Sequence, residues 1–459
     1  QRRQRGCLCI LLSTALCCAL AGTPCRGYAI PPALGQHIAE VRERHNIPVV
    51  AVSRIVHGQP MESVVIGAAP STPLRWGSIT KTITALTVLA MAEEGLLSLQ
   101  APLGQYLDPG QWRNPWRQRN PVRVIDLLEM RAGFTDLSAK EFAFNQPITL
   151  HQALALDPDH RVSRWPPGSQ HVYSNMTAGL TQLLIETIAG MPYAAAAQHY
   201  ALGRLGMENA GFSPLPDLPG GYQADGTSKI PYWHMTYPAY GALNASLAAM
   251  NQLLLHLCQP QRLPALPRQH LFSPHGRRWG QQFVFDYAAG LYPRVRRGHV
   301  WHTHGGDADG YRSRLAVLAD GCGGYLVNIN TDNPRALIEI ESLLEADLTR
   351  NRVRPEPPPL AEMPAAVFSS IAGRYYPTST RFALAKWQQG RLASVYIEAD
   401  AEQLTVTRRG SRTVLYPVGP TLFRRAGDPV ATVTIFSRHG RTYMQGELGN
   451  FERVTADAE

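Results

Sequence analysis

The chain has 459 residues, 44% of them hydrophobic and 17% charged, with a formal net charge of +9 at pH 7. Those proportions exclude a disordered chain and a multi-span membrane protein, and the length allows two or three domains. The basic excess is dispersed and lacks an aromatic-interleaved basic run, which argues against nucleic-acid binding and suits an anionic envelope surface.

The N-terminus stands apart. Arg2, Arg3 and Arg5 precede an apolar run over residues 7–20, and Gly27-Tyr28-Ala29 places small residues at the two cleavage positions. This pattern predicts a signal peptide over residues 1–29, removed on export, which makes the protein periplasmic or secreted. An uncleaved anchor is the alternative, and the apolar run is short for a span. The leader lacks the fuller twin-arginine context and a convincing lipoprotein cleavage box. Its loss takes four arginines and no acid, lowering the charge to +5, and removes five of the seven cysteines. Cys258 and Cys322 remain, and a disulfide between them is open.

Residues 34–46 read as a helix, followed by strand-like runs at 49–56 and 63–67. Ile79, Ile83, Leu86 and Ala90 then recur at helical spacing as far as Glu94, and Gly95 supplies the stop. From 96 to 206, helices alternate with loops rich in Pro and aromatic residues, with 124–131 and 177–188 the clearest helices. Leu247, Met250, Leu254 and Leu257 mark another, N-capped by Ser246. Strand character returns at 311–319 and 325–330 around a Gly-rich turn. Leu337, Ile340, Leu344 and Leu348 then form an amphipathic helix. This order predicts an α+β fold over residues 30–350, an antiparallel sheet flanked by helices with an inserted all-helical lobe. Pro355 and Pro357-Pro358-Pro359 mark a linker over 351–364. Short strand-like runs at 403–408, 413–418, 430–437 and 441–446 predict a small all-β barrel domain over 365–459.

Three stretches carry chemistry. In Ser78-Ile79-Thr80-Lys81 a hydroxyl and an amine lie one helical turn apart on one face, within reach of each other. The hydroxyl needs a base to attack a carbonyl, and Lys81 can serve once burial or nearby positive charge lowers its pKa. By itself the motif reads as an N-cap beside a solvated lysine, and it needs company to mean more. Tyr173-Ser174-Asn175, at the mouth of the helix over 177–188, offers a phenol that could be held partly as phenolate and an amide able to bind a substrate amide. Taken alone it reads as packing. Trp301-His302-Thr303-His304-Gly305-Gly306-Asp307 leads into the strand pair, and its small residues would let a substrate backbone approach an edge strand. The backbone N–H groups of Ser78 and Asp307 are candidates for an oxyanion hole.

In this order, Ser78-Ile79-Thr80-Lys81, Tyr173-Ser174-Asn175 and His304-Gly305-Gly306 resemble the serine β-lactamase and penicillin-binding protein superfamily. The match is to the branch holding class C β-lactamases, D-alanyl-D-alanine carboxypeptidases and related esterases. Gly77, Glu94-Gly95-Leu96-Leu97, Pro167-Gly168, Leu205-Gly206-Met207 and Gly241-Ala242-Leu243-Asn244 agree with it, so the resemblance covers residues 33–350. It implies Ser78 as acylated nucleophile, Lys81 and Tyr173 as proton-transfer partners, and Asn175, His304, Gly305 and Gly306 as substrate binders. His304 replaces the lysine of the third motif. A mostly neutral imidazole favours a peptidase or esterase-like hydrolase over a potent β-lactamase. The C-terminal region, including Tyr375-Tyr376-Pro377-Thr378-Ser379-Thr380, is similar to a lipocalin-like accessory domain.

The expected activity is hydrolysis of amide or ester bonds through an acyl-enzyme, with no cofactor and no metal. Expected substrates are small molecules or peptides, namely a peptidoglycan-like peptide, a β-lactam or an ester. A catalytically weak envelope protein that binds peptidoglycan-like ligands is the alternative. A further rival is zinc hydrolysis on His302, His304 and Asp307, although Asp307 is one residue late for the metal motif and no His follows it.

Overall fold

The computed structural model describes residues 30–56, 59–280, 286–321, 323–381, 394–400 and 402–454. The leader read over 1–29 and the Cys322 half of the open disulfide lie outside them, while Cys258 is a free, buried thiol.

The main body is an antiparallel sheet of six strands. They are β1 (Val50–Val56), β2 (Glu62–Ile66), β3 (Tyr292–Arg296), β4 (His299–Ala308), β5 (Tyr311–Leu318) and β6 (Gly323–Ile329), arranged in the order β3-β4-β5-β6-β1-β2. Strand β1 meets β6 in the register Val50 to Ile329, which brings the two ends of this body together.

Side-chain alternation divides the sheet between two cores. Val50, Val52, Val327 and Ile329 face helices α1 (Pro32–Arg44) and α5 (Pro334–Thr349), whose Leu34, Ile38, Ile340 and Leu344 recur at helical spacing. Ala51, Ile55, Leu315 and Leu326 point the other way, towards α2 (Thr80–Glu93), α3 (Asn175–Ala189) and α4 (Leu247–Cys258). Both faces are covered, which is why β1 and β6 read as nearly continuous apolar runs.

Two features of this body prepare the site. Strand β3 pairs with β4 only over His299–Thr303, so residues 304–308 keep β5 on one side and an open edge on the other among the described residues. The 3₁₀ turn Gly77–Ile79, which leads into α2, is pressed against that same stretch. Gly77 has φ +51°, and a Cβ there would lie 2.8 Å from the backbone nitrogen of Asp307. A Cβ on Gly306 would collide with the Trp76 carbonyl oxygen and the Ser313 hydroxyl.

Beyond the Pro-rich segment, eight strands close into a barrel: β7 (Gly373–Pro377), β8 (Val395–Ala399), β9 (Leu404–Arg408), β10 (Ser411–Pro417), β11 (Leu422–Arg424), β12 (Val433–Arg438), β13 (Arg441–Gly446) and β14 (Phe451–Arg453). Tyr375, Ile397, Leu404, Leu415, Phe423, Val433, Met444 and Phe451 fill it. Closure joins β7 to β14 and leaves no free edge among the described strands. The barrel rests on the loop just ahead of Tyr173, where Gln445 Nε2 donates to the Ser169 carbonyl at 3.1 Å and Asn450 Nδ2 to that of His171 at 2.7 Å.

The close approach at Gly306 gives the first prediction. Gly306→Ala should destabilise the protein by about 1–3 kcal/mol through overpacking, read as a fall in Tm on thermal unfolding. An unchanged Tm would show that the turn before α2 can give way without loss.

Candidate active site

Ser78 lies in the turn before α2, and Lys81 is the second residue of the helix with only 3% of its surface exposed. Every residue from Thr80 to Met91 is buried, so α2 runs through the middle of the body with no solvent-facing side to offer the lysine. The amine is satisfied instead by three oxygens: Ser78 Oγ at 3.1 Å, Asn175 Oδ1 at 2.7 Å and the Tyr240 carbonyl at 2.7 Å. Loss of water pushes the Lys81 pKa well below that of a free lysine. The nearby Asp136 carboxylate opposes that shift and the Arg381 guanidinium adds to it.

These partners orient the lone pair. The Tyr240 carbonyl and the Asn175 oxygen can only accept, so they take the two N–H bonds of a neutral amine. What remains, the lone pair, faces the Ser78 hydroxyl.

Tyr173 immediately precedes Ser174, whose hydroxyl caps α3 by accepting from the Thr177 N–H. Its ring lies 5.0 Å from Lys81 Nζ. Burial raises the Tyr173 pKa above that of free tyrosine, against a hydrogen bond with Ser78 and the charge of Arg381. The group is therefore held as phenol, and the partial phenolate expected from its neighbouring lysine is not favoured. Asn175 opens α3, gives its oxygen to Lys81 and keeps an amide N–H for a ligand. The Asp136 carboxylate accepts from the backbone N–H of Asn175 at 2.7 Å and lies 3.4 Å from its side-chain nitrogen.

On the opposite wall, His304 Nδ1 is 2.6 Å from the Gly305 carbonyl oxygen, and Nε2 is 2.9 Å from the Tyr287 hydroxyl. A carbonyl only accepts, so Nδ1 carries the proton and Nε2 accepts from Tyr287. Burial, together with the charge of Lys81, lowers the His304 pKa to about 3. The imidazole is neutral at any physiological pH. Gly305 makes room for the Arg314 guanidinium, since a Cβ there would lie 2.5 Å from it. Glu341 and the Tyr292 hydroxyl hold that guanidinium at 2.5 and 3.0 Å.

The side chains of the zinc alternative go to separate partners. His302 packs edge-on against Phe272 at 5.1 Å, His304 is taken as above, and Asp307 pairs with Arg312 at 3.2 Å. Among the described residues no group of three metal-ligating side chains comes together.

Ser78, Tyr173, Asn175, His304, Gly305 and Asp307 all line one cavity of about 720 Å³. Phe142, Trp233 and Met235 give it an apolar wall, and Gln445, Glu447 and Asn450 close it from the barrel side. Sequence reasoning missed Tyr240, Tyr287, Asp136 and Arg381. None lies within a spaced motif, and Arg381 comes from more than 200 residues beyond Tyr173 in the chain.

The Beta-lactamase family model matches residues 34–347. The chain belongs to the beta-lactamase family. Members of this family are serine hydrolases. Among curated relatives, the D-alanyl-D-alanine-carboxypeptidase/endopeptidase AmpH of Escherichia coli is 28% identical over 155 residues, 31% of this chain and 38% of that protein. Protein flp of Staphylococcus aureus is 26% identical over 151 residues, 32% of this chain and 29% of the relative. The matches thus span little more than a third of the curated relatives at most. Among solved structures, the octameric penicillin-binding protein homologue from Pyrococcus abyssi superposes with a TM-score of 0.56 at 18% identity, covering 92% of this chain and 99% of that one. The D-amino acid amidase from Ochrobactrum anthropi gives a TM-score of 0.58 at 17% identity, covering 70% and 100%. At such identities these structures establish the fold.

The buried, neutral His304 makes a prediction within this family site. His304 should contribute no step near the 6.5 of a free histidine to the pH profile of turnover, which leaves Lys81 to set its acid limb. A step there that vanishes in His304→Gln would mean that the imidazole titrates in solution.

Proposed function

We propose that this protein is an exported serine hydrolase that acts through an acyl-enzyme on amide or ester bonds, as a D,D-carboxypeptidase-like or esterase-like member of its family. The observation that carries the reading is the buried Lys81 amine, with Ser78 Oγ at 3.1 Å and its other two partners restricted to accepting. Ser78 Oγ bonds to the substrate carbonyl carbon as its proton passes to Lys81, and the carbonyl electron pair moves onto oxygen. The N–H groups of Ser78 and Asp307 would receive that oxyanion. Collapse breaks the bond to the leaving group, which regains a proton by way of Lys81 or the Tyr173 phenol. Water then attacks the ester in the same manner and frees Ser78.

A neutral His304 supports peptidase or esterase chemistry over potent β-lactamase action, because it offers a β-lactam carboxylate no fixed charge. Asn175 and the open edge at residues 304–308 suit a substrate with an extended amide backbone. Small molecules and peptides of peptidoglycan type are therefore the proposed substrates, and the match to AmpH supports the same choice.

The test is turnover of small esters and of D-alanyl-D-alanine peptides, with intact-mass spectrometry after exposure to a penicillin. Ser78→Ala should lose turnover by roughly a thousandfold or more, and any penicillin adduct should map to Ser78. Turnover that survives in Ser78→Ala would sink the acyl-enzyme reading. In the wild type kcat/KM should rise with pH as Lys81 loses its proton, and reach its plateau well below the 10.5 of a free lysine.

A further inference from the structure

The cavity contains a cation that comes from neither the sheet nor the helical lobe. Arg381 lies in the segment after β7, and its side chain lines the cavity beside Tyr173. Two bonds join it to Asp136. The guanidinium Nε meets Asp136 Oδ2 at 2.5 Å, and the Arg381 carbonyl accepts from the Asp136 N–H at 2.7 Å. The guanidinium also lies 5.1 Å from the centre of the Tyr173 ring, a distance suited to a cation–π contact. The segment is fastened in place, with Thr378 Oγ1 donating to Gln170 Oε1 at 2.6 Å and Ser379 Oγ to the His171 carbonyl at 3.2 Å. From Asp136 the chain of contacts continues through Asn175 to Lys81 and Ser78.

We propose that Arg381 is a positioning residue of the active site, holding Asp136 and through it the Asn175 amide that orients Lys81, so that barrel and hydrolase body form one catalytic unit. The proposal rests on the serine-hydrolase reading. Asp136 is fully buried beside the amine, and without a cation it would favour the charged lysine. Arg381 offsets that carboxylate and keeps Lys81 able to accept a proton. The other titratable groups that face the amine, Tyr173, Tyr240 and His304, are all held neutral by burial.

The sign of the effect follows. Removing the guanidinium leaves Asp136 unopposed, Lys81 holds its proton more tightly, and a higher pH is needed to free the base. In the full-length protein, Arg381→Gln should lower kcat/KM for a small ester about tenfold and move the acid limb of its pH profile upward by roughly half a unit or more. Arg381→Lys should restore most of the limb position. The side chain is 45% exposed, so both variants should fold, and Tm measured alongside checks this. A limb that stays in place in Arg381→Gln, whatever happens to Tm, would overturn the proposal while leaving the serine reading intact. Turnover that survives in Ser78→Ala would overturn both.

Discussion

An amine becomes a base at neutral pH only if its charged form is made costly, and here the cost is the removal of water from Lys81. Burying an ammonium without compensation costs several kcal/mol or more, so the group neutralises unless it is paired. The fold supplies the burial by running α2 through the centre of the body, under the sheet on one side and among the lobe helices on the other. The helical lobe therefore has a chemical role as well as a structural one. An α2 on the surface would leave Lys81 hydrated, and its partners at Asn175 and Tyr240 would be lost with the lobe that carries them.

The same burial acts on five titratable groups at the centre of the site, with different results by type. It lowers Lys81 and His304 and raises Tyr173, Tyr240 and Tyr287, so each of them tends towards its neutral form. The phenols become hydrogen-bond donors and the amine becomes an acceptor. Guanidinium and carboxylate groups meet in pairs around them, as in Arg381 with Asp136, Arg314 with Glu341 and Arg131 with Asp286. This division between neutral reacting groups and paired supporting charges suits a reaction whose negative charge appears only on the way to the acyl-enzyme.

The parts legible in the sequence were those governed by short-range spacing. Ser78 and Lys81 are one helical turn apart, and Tyr173 and Asn175 flank a capping serine, so both pairs could be read locally. The alternating and helical apolar patterns likewise revealed the sheet, its flanking helices and a C-terminal barrel. Strands β3 and β4 were harder, because histidines, glycines and arginines interrupt their apolar pattern where the strand serves the site. The 3₁₀ turn at Gly77–Ile79 takes Ile79 out of the helix read from it, and Gly77 is held at positive φ against Asp307. Half of the barrel strands also escaped notice, among them β11 and β14, which are only three residues long. Tyr240, Asp136, Tyr287 and Arg381 reach the site through tertiary folding alone, and no periodicity marks such residues.

The division of the cavity wall explains why a common fold leaves the substrate open. The reacting groups stand at the N-terminal ends of α2 and α3 and in the turns just before them, where packed helices hold their positions. Around them, Phe142, Trp233 and Met235 come from lobe loops and short bridging strands, while Glu447 and Asn450 come from the barrel. Those surfaces can change without disturbing Lys81, so specificity can diverge while the chemistry is kept. The barrel has its own closed core and meets the body here through polar contacts at Ser169, Gln170 and His171. Polar contacts of this kind contribute about 1 kcal/mol each and depend on direction. They fix the angle of the barrel against the loop before Tyr173 more than they add stability, and that angle sets what can enter the cavity from the barrel side.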